Sequence, residues 1–258
     1  MSGQSPFAIY PSLDNKIVIV TGGASGIGEA IVEAFTMQRA RVVFLDIQDD
    51  AASKLIERLT ANDLSAPAYY HCDLTDVAAL RHAVESILDR FQTVDVLVNN
   101  AGNDTRHKVE EVTPDFWDRT IALNLKHQFF LSQAVAPAMQ KAERGSIINM
   151  GSISWAIPSG DVPVYSTAKA AIVGMTRSLA HELGPHNIRV NCVMPGAVLT
   201  ERQQRLWFTD EYKAEILASQ ALKRMILPED VARLILFLAA DDSSAITNQC
   251  HVIDAGWI

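Results

Sequence analysis

The sequence predicts an α/β fold, a single doubly wound parallel sheet of about seven strands with helices on both faces. Three observations carry this. Apolar runs of strand length alternate with helical patterns along the chain. Those runs are nearly continuous, as strands covered on both faces require. A glycine-rich segment, Thr21 to Gly28, lies directly between the first strand pattern and its helix.

Lys16 to Thr21 (K-I-V-I-V-T) is the first expected strand, and Ile27 to Gln38 the helix that follows. Arg41 to Asp46 (R-V-V-F-L-D) is the second strand, followed by a helix from about Asp49 to Thr60. Ala66 to Cys72 is a third, weaker strand, and Asp76 to Phe91 its helix. Val94 to Val98 is the fourth strand, before one long helical region from Pro114 to Gln140. Ser146 to Met150 is the fifth. Val162 to Leu183 is helical and stops at Gly184-Pro185. Ile188 to Val193 is the sixth strand, Glu229 to Ala240 a helix with Pro228 at its start, and Gln249 to Asp254 the last strand. The least regular stretch, Ala197 to Gln220, is expected as a helical excursion over the site, because long ordered connections tend to be functional. No repeat or low-complexity linker interrupts the pattern, so residues 1–258 are read as one domain.

At 258 residues and 48% apolar, the chain can bury a sizeable core. Its net charge of −8, with acids and bases intermixed, makes it a poor partner for nucleic acid or an anionic membrane. The three cysteines, Cys72, Cys192 and Cys250, are far apart and form no C-x-x-C. That argues against a disulfide scaffold or structural zinc and points to the cytoplasm. Met1 to Asn15 has no basic region followed by an apolar run, so it does not read as a signal peptide. Leu234 to Ala240, the longest apolar stretch, is too short to span a bilayer. His181 and His186 stand five apart with Gly184-Pro185 between them, which breaks the helical spacing zinc ligation needs, and no metal site is expected.

The chemistry-bearing residues begin with Tyr165 and Lys169, four apart on a helix and therefore on one face. A positive charge nearby favours phenolate and lowers a tyrosine pKa from about 10, which makes a candidate general base for an alcohol proton. The glycine turn, with Gly22, Ser25, Gly26, Ile27 and Gly28, suits a pyrophosphate at a helix N-terminus in a dinucleotide fold of Rossmann type. Asp46 ends the second strand, where an acid either accepts from the adenosine ribose hydroxyls or caps the next helix. Ser25 and Ile47 are uncharged where a basic residue could hold a 2′-phosphate, so NAD is expected over NADP. Asp73 and Asn99-Asn100-Ala101-Gly102 end strands on the same sheet edge, although Asn-Gly punctuation also marks ordinary turns. Ser152 follows the fifth strand, thirteen residues before Tyr165, and could meet it at one carbinol oxygen.

With these motifs in this order, T-G-G-A-S-G-I-G, N-N-A-G, Ser152 with Tyr165 and Lys169, and Pro195-Gly196, the chain resembles the short-chain dehydrogenase/reductase family over nearly its whole length. The resemblance implies that Tyr165 is the general base and that Lys169 lowers its pKa and holds the nicotinamide ribose. It implies that Ser152 binds the substrate oxygen and Asn124 holds a water in a proton relay. Asp73 and Leu74 would contact adenine, Asn100 the neighbouring ribose, and Pro195 to Thr200, including Gly196 and Val198, the nicotinamide amide. A homotetramer is also implied, with Phe129, Phe130, Ile172 and Met175 available for helix contacts unless they belong to the core. Trp257 would pack in its own protomer or reach a neighbour's site.

N-A-G-N-D-T-R-H, I-N-M-G-S-I-S-W and I-D-A-G-W-I further resemble the aldose 1-dehydrogenases of this family, which act on sugars of the D-xylose, L-arabinose, D-galactose or L-fucose type. Asn103, Asp104, Arg106 and His107 follow the fourth strand and could supply donors and acceptors for several hydroxyls. Ser154 and Trp155 stand just beyond Ser152. Asn103, Asp104, Ser154 and Trp155, with Ser152 and Tyr165, are the expected sugar contacts. The other reading pairs Asp104 with Arg106 on the surface and puts Trp155 in the core. The expected reaction is NAD-dependent oxidation of an aldose at C1. The alternatives are the same machinery on a polyol, steroid or acyl thioester, or a non-catalytic NAD-sensing regulator.

Overall fold

Each strand is followed by a helical crossover that returns the chain to its starting edge, and right-handed crossovers of this kind build a parallel sheet. The computed structural model describes residues 7–62 and 64–258. It shows β1 (Ile17–Thr21), β2 (Arg41–Asp46), β3 (Ala68–His71), β4 (Val96–Asn99), β5 (Gly145–Met150), β6 (Ile188–Pro195) and β7 (Cys250–Ile253). They form one sheet in the order β3-β2-β1-β4-β5-β6-β7, with every pair parallel. The N-terminal segment read as lacking a signal peptide begins with six residues outside the described ones.

The helices are α1 (Gly26–Met37), α2 (Asp49–Ala61), α3 (Val77–Phe91), α4 (Pro114–Ile121), α5 (His127–Ala142), α6 (Pro163–Leu183), α7 (Glu201–Leu206), α8 (Asp210–Ser219) and α9 (Pro228–Ala239). Strand side chains alternate between two cores. Val18, Val20, Val42, Phe44, Val96 and Val98 pack with α1, α2 and α9 on one face. Ile19, Val43, Leu45 and Leu97 pack with α3, α5 and α6 on the other. Two covered faces confine the polar residues of β1, β2 and β4 to the strand ends, Thr21, Arg41, Asp46 and Asn99, which is why the apolar runs between them are continuous.

At the amino-terminal edge the sheet is tied by Asp95, whose carboxylate is 7% exposed. It accepts from Ile17 N at 2.9 Å and Arg144 Nε at 3.1 Å, with Lys16 Nζ at 3.6 Å. Its own backbone carbonyl accepts from Ser146 N at 3.0 Å. One residue thus fixes the relative height of β1, β4 and β5, the strands whose other ends carry the site.

Two expectations are corrected. The helix read as continuous from Pro114 to Gln140 is divided by a π-helical turn, Ala122–Lys126, which takes one extra residue and places Asn124 at its centre. Ile172, read as available for a helix interface, is fully buried in the cluster with Ile153, Cys192 and Met194. Phe129 remains 41% exposed.

Replacing Asp95 with Ala strands Ile17 N and two cations. The expected cost is about 2 kcal/mol, because hydrogen bonds to a buried charge are worth more than neutral ones. Urea denaturation followed by far-UV circular dichroism measures it, and a cost under about 0.5 kcal/mol would contradict this role.

Candidate active site

The strand order reverses between β1 and β4, and at such a switch point the carboxyl ends of the strands leave a crevice. Here it is a cavity of about 1250 Å³. Gly22, Ser25, Gly26, Ile27 and Gly28 border it where α1 begins, so the free N–H groups of the first helical turn lie at its wall. A Cβ on Gly28 would stand 1.8 Å from the Gly22 carbonyl oxygen, so only glycine lets the helix approach the turn. Asn100 Nδ2 donates to the carbonyls of Thr21 (2.9 Å) and Gly22 (3.2 Å), and Ala101 N to Thr21 Oγ1 (3.0 Å). These bonds lock β4 to the turn across the switch point.

Asp46 is 5% exposed, and its carboxylate is occupied by backbone donors at two turns. Oδ2 accepts from Ala24 N at 2.9 Å and so shapes the glycine turn, while Oδ1 accepts from Ile47 N (2.8 Å) and Gln48 N (3.1 Å) at the start of α2. It also lines the cavity with Ile47, Asp73 and Leu74. Bonds from the Thr75 side chain and backbone hold the Asp73 carboxyl below the usual carboxylate range. Gly102, Pro195, Gly196, Val198 and Thr200 line the other half.

Tyr165, Lys169 and Ser152 converge beyond the end of β5. Lys169 is 2% exposed; its Nζ donates to the Met150 carbonyl at 2.8 Å and stands 5.4 Å from the centre of the Tyr165 ring. Burial pushes the Lys169 ammonium down from 10.5 to about 8, with Cys192 and Asp104 opposing. Burial and then the Asp104 carboxylate push the Tyr165 phenol up, against Ser152 and Arg202, which pull it down. The expectation that Lys169 tunes the phenol downward is therefore not met. Its charge is desolvated and committed to a carbonyl, and burial dominates the phenol.

Asn124 is buried and lies behind the cavity wall, with its side chain committed. Oδ1 accepts from Asn103 N (2.8 Å), and Nδ2 donates to Asn103 O (3.1 Å) and Thr120 O (3.0 Å). Asn124 therefore clamps the segment after β4, and these bonds leave the amide little capacity for a water.

Of the expected sugar contacts, Asn103, Asp104, Ser152, Ser154 and Tyr165 line the cavity. Ser154 Oγ is buried without a partner. Trp155 is not brought to the cavity. It ends the short 3-10 turn Ile153–Trp155, in which Ile153 takes the core side and Trp155 stays 43% exposed. Asp104 and Arg106 do not pair with each other. Arg106 bonds Asp161 at 3.0 Å and stacks on Trp207 and Tyr212 at 4.8 and 5.1 Å. Asp104 pairs with Arg202 and Gln203 of the 197–220 excursion, which folds as α7 and α8 against the cavity. Arg202, Asp161 and Tyr212 were missed in the sequence. The polar run Glu201-Arg202-Gln203-Gln204-Arg205, next to the strand-end turn, was a signal for Arg202 alone. Trp257 packs in its own protomer and lines this cavity.

A family model described as "Enoyl-(Acyl carrier protein) reductase" matches residues 22–258. The chain is 52% identical over 250 residues to D-xylose 1-dehydrogenase of Caulobacter vibrioides, covering 97% of this chain and 98% of that protein. It is 47% identical over 251 residues to the "Probable galactose dehydrogenase GalD" of Rhizobium meliloti, covering 97% and 98%. Among solved structures, Thermoplasma acidophilum aldohexose dehydrogenase in ligand-free form superposes with a TM-score of 0.85 at 28% identity, covering 96% of each chain.

The Lys169 shift carries a signed prediction. A folded-state pKa near 8 against 10.5 means that the folded protein binds fewer protons than the unfolded chain between those values, so stability rises with pH through that window. Lys169→Met, which has no charge to desolvate, is expected to gain on the order of 1–2 kcal/mol at pH 7 after loss of the Met150 bond, a Tm rise of a few degrees. The advantage shrinks as pH rises towards 10. Calorimetry across pH checks this, and a pH-independent difference would count against it.

Proposed function

The chain belongs to the short-chain dehydrogenase/reductase family, and from that premise we propose that it oxidises an aldose at C1 with NAD, giving the aldonolactone. The observation that carries this is the convergence of Ser152, Tyr165 and Lys169 on one side of a cavity whose other side is polar: Asn103, Asp104, Arg202, Gln203 and the partnerless Ser154 hydroxyl. Unsatisfied buried hydroxyls and charge-neutral polar clusters favour a ligand that carries several hydroxyls and disfavour acyl chains and steroids. The relatives named for xylose, galactose and aldohexose oxidation point the same way.

In this reading Ser152 holds the anomeric oxygen and Tyr165 takes its proton, the positive charge of a bound oxidised nicotinamide offsetting the burial that otherwise raises the phenol's pKa. The alkoxide so left would pass its C1 hydrogen as hydride to the nicotinamide, and C1 would become the lactone carbonyl. When bound, the oxidised nicotinamide supplies the hydride acceptor and a positive charge. Family members typically use such a cofactor, and the Gly28 cradle, the α1 N-terminus and Asp46 fit its diphosphate and ribose. Lys169 would hold the nicotinamide ribose, Asn100 the ribose next to it, Asp73 and Leu74 the adenine, and Pro195 to Thr200 the amide. NAD is preferred to NADP because the Asp46 carboxylate repels a 2′-phosphate. Arg58, which lines the same cavity, is already paired with Glu29 and Glu33 at 2.9 Å each. The proposed protein is a single catalytic unit acting in the cytoplasm as a homotetramer, for which exposed Trp117 and Phe129 on α4 and α5 offer contact area. Among the described residues no helix is long and apolar enough to cross a membrane.

Purified protein mixed with NAD and a panel of pentoses and hexoses is expected to generate NADH absorbance with at least one aldose; silence across the panel would defeat the sugar assignment. Tyr165→Phe is expected to lower kcat by at least about a thousandfold while NAD binding, followed by fluorescence titration, stays within a few-fold. Asp46→Ala is expected to narrow the NAD over NADP ratio of kcat/KM by about tenfold or more. An unchanged ratio would remove Asp46 from the ribose site.

A further inference from the structure

The wall facing Ser152 and Tyr165 is built by two segments distant in sequence, the turn after β4 and the start of α7. Arg202 pairs with Asp104 Oδ1 through Nη1 and donates through Nη2 to Asn103 Oδ1 at 2.8 Å, while Gln203 Nε2 donates to Asp104 Oδ2 at 2.6 Å. Asn103 is itself clamped through its backbone by Asn124. Arg202, Gln203, Asp104 and Asn103 all line the cavity.

A guanidinium carries five N–H donors, of which these bonds use two, and each oxygen of the Asp104 carboxylate keeps a second lone pair. The clasp therefore has both donors and acceptors to spare, the complement of vicinal hydroxyls. Its charge sums to zero. The buried Ser154 Oγ in the same cavity is a further polar group awaiting a partner.

We propose that Arg202 is a specificity-determining residue of the oxidation: paired with Asp104, it binds the sugar hydroxyls remote from C1, and the cancelled charge restricts the site to neutral polyhydroxy substrates. This rests on the aldose reading above. The carboxylate turns away an anionic sugar that the guanidinium alone would attract. The clasp and Tyr165 line the same cavity, so a ligand held at C1 by Tyr165 has the clasp within reach of its other hydroxyls.

The test is steady-state kinetics of wild type, Arg202→Ala, Arg202→Lys and Asp104→Asn with the aldose that the wild type oxidises, and with D-galacturonate as a competitive inhibitor. Arg202→Ala is expected to raise the aldose KM by about tenfold or more, with kcat and the NAD KM changing much less; Arg202→Lys falls between. Asp104→Asn, which leaves the guanidinium uncompensated, is expected to lower the D-galacturonate Ki by about tenfold. An aldose KM within about twofold of wild type in Arg202→Ala overturns the proposal. So does a parallel loss of kcat and of both KM values, the mark of a collapsed lid. An unchanged Ki in Asp104→Asn overturns the charge restriction. If the wild type oxidised no aldose, the proposed activity itself would fall, a result distinct from each of these.

Discussion

The arrangement depends on the burial of one ammonium. Lys169 Nζ sits out of water under the cavity, held by the carbonyl that ends β5. A desolvated charge of this kind is tolerated only where a partner is fixed in place. The Met150 carbonyl is fixed because β5 pairs with β6 as far as Met150 and with β4 as far as Asn149. The approach to it is open because residue 102 is glycine: a Cβ there would stand 3.0 Å from Asn124 Oδ1 and 3.4 Å from Lys169 Nζ. The sheet, the missing side chain at 102 and the π-helical turn that carries Asn124 are thus parts of one packing solution around Lys169.

A second dependence runs through the segment Asn103 to His107. Asn124 holds Asn103 by its backbone, and Asn103 and Asp104 hold α7. Arg106 bonds Asp161 and stacks on Trp207 and Tyr212 of the excursion. His107 Nδ1 faces the Thr105 carbonyl at 2.9 Å, which puts the proton there and leaves Nε2 to accept from Val164 N at 3.4 Å, one residue before Tyr165. Five consecutive residues thereby connect the buried Asn124, the covering helices and the N-terminal turn of the helix that bears Tyr165. Specificity and positioning are difficult to separate in such a segment, since each side chain that faces the cavity also braces its walls.

Periodicity revealed the fold because both faces of the sheet are covered: K-I-V-I-V-T cannot be an amphipathic helix, and the glycine turn after it marks where the helix begins. Tyr165, Lys169 and Ser152 were legible for a similar reason, since they lie within one strand–turn–helix unit and their spacing alone brings them together. Asp104 was legible as a polar residue at the mouth of the site, but the ion partner legible beside it was the nearby Arg106, because Arg202 lies 98 positions further along the chain. The π turn was invisible, as Ala122 to Lys126 carries an ordinary helical pattern and the Asn124 bonds that accompany the widening reach Asn103, 21 residues away. Trp155 misled because adjacency to Ser152 along the chain does not decide which way a one-turn helix faces. The direction of the Tyr165 shift was misread because burial, which outweighs the neighbouring charges, is a property of the folded molecule.

The central claim is that this site moves the C1 hydrogen of a sugar, as hydride, to a nicotinamide. Incubation with an aldose deuterated at C1 and oxidised NAD, followed by proton NMR of the reduced cofactor, tests it most directly. One deuterium is expected at nicotinamide C4 per turnover on a single face, with lactone or its hydrolysis product in equal amount. Reduced cofactor without the label would contradict it, and so would aldose consumption without cofactor reduction.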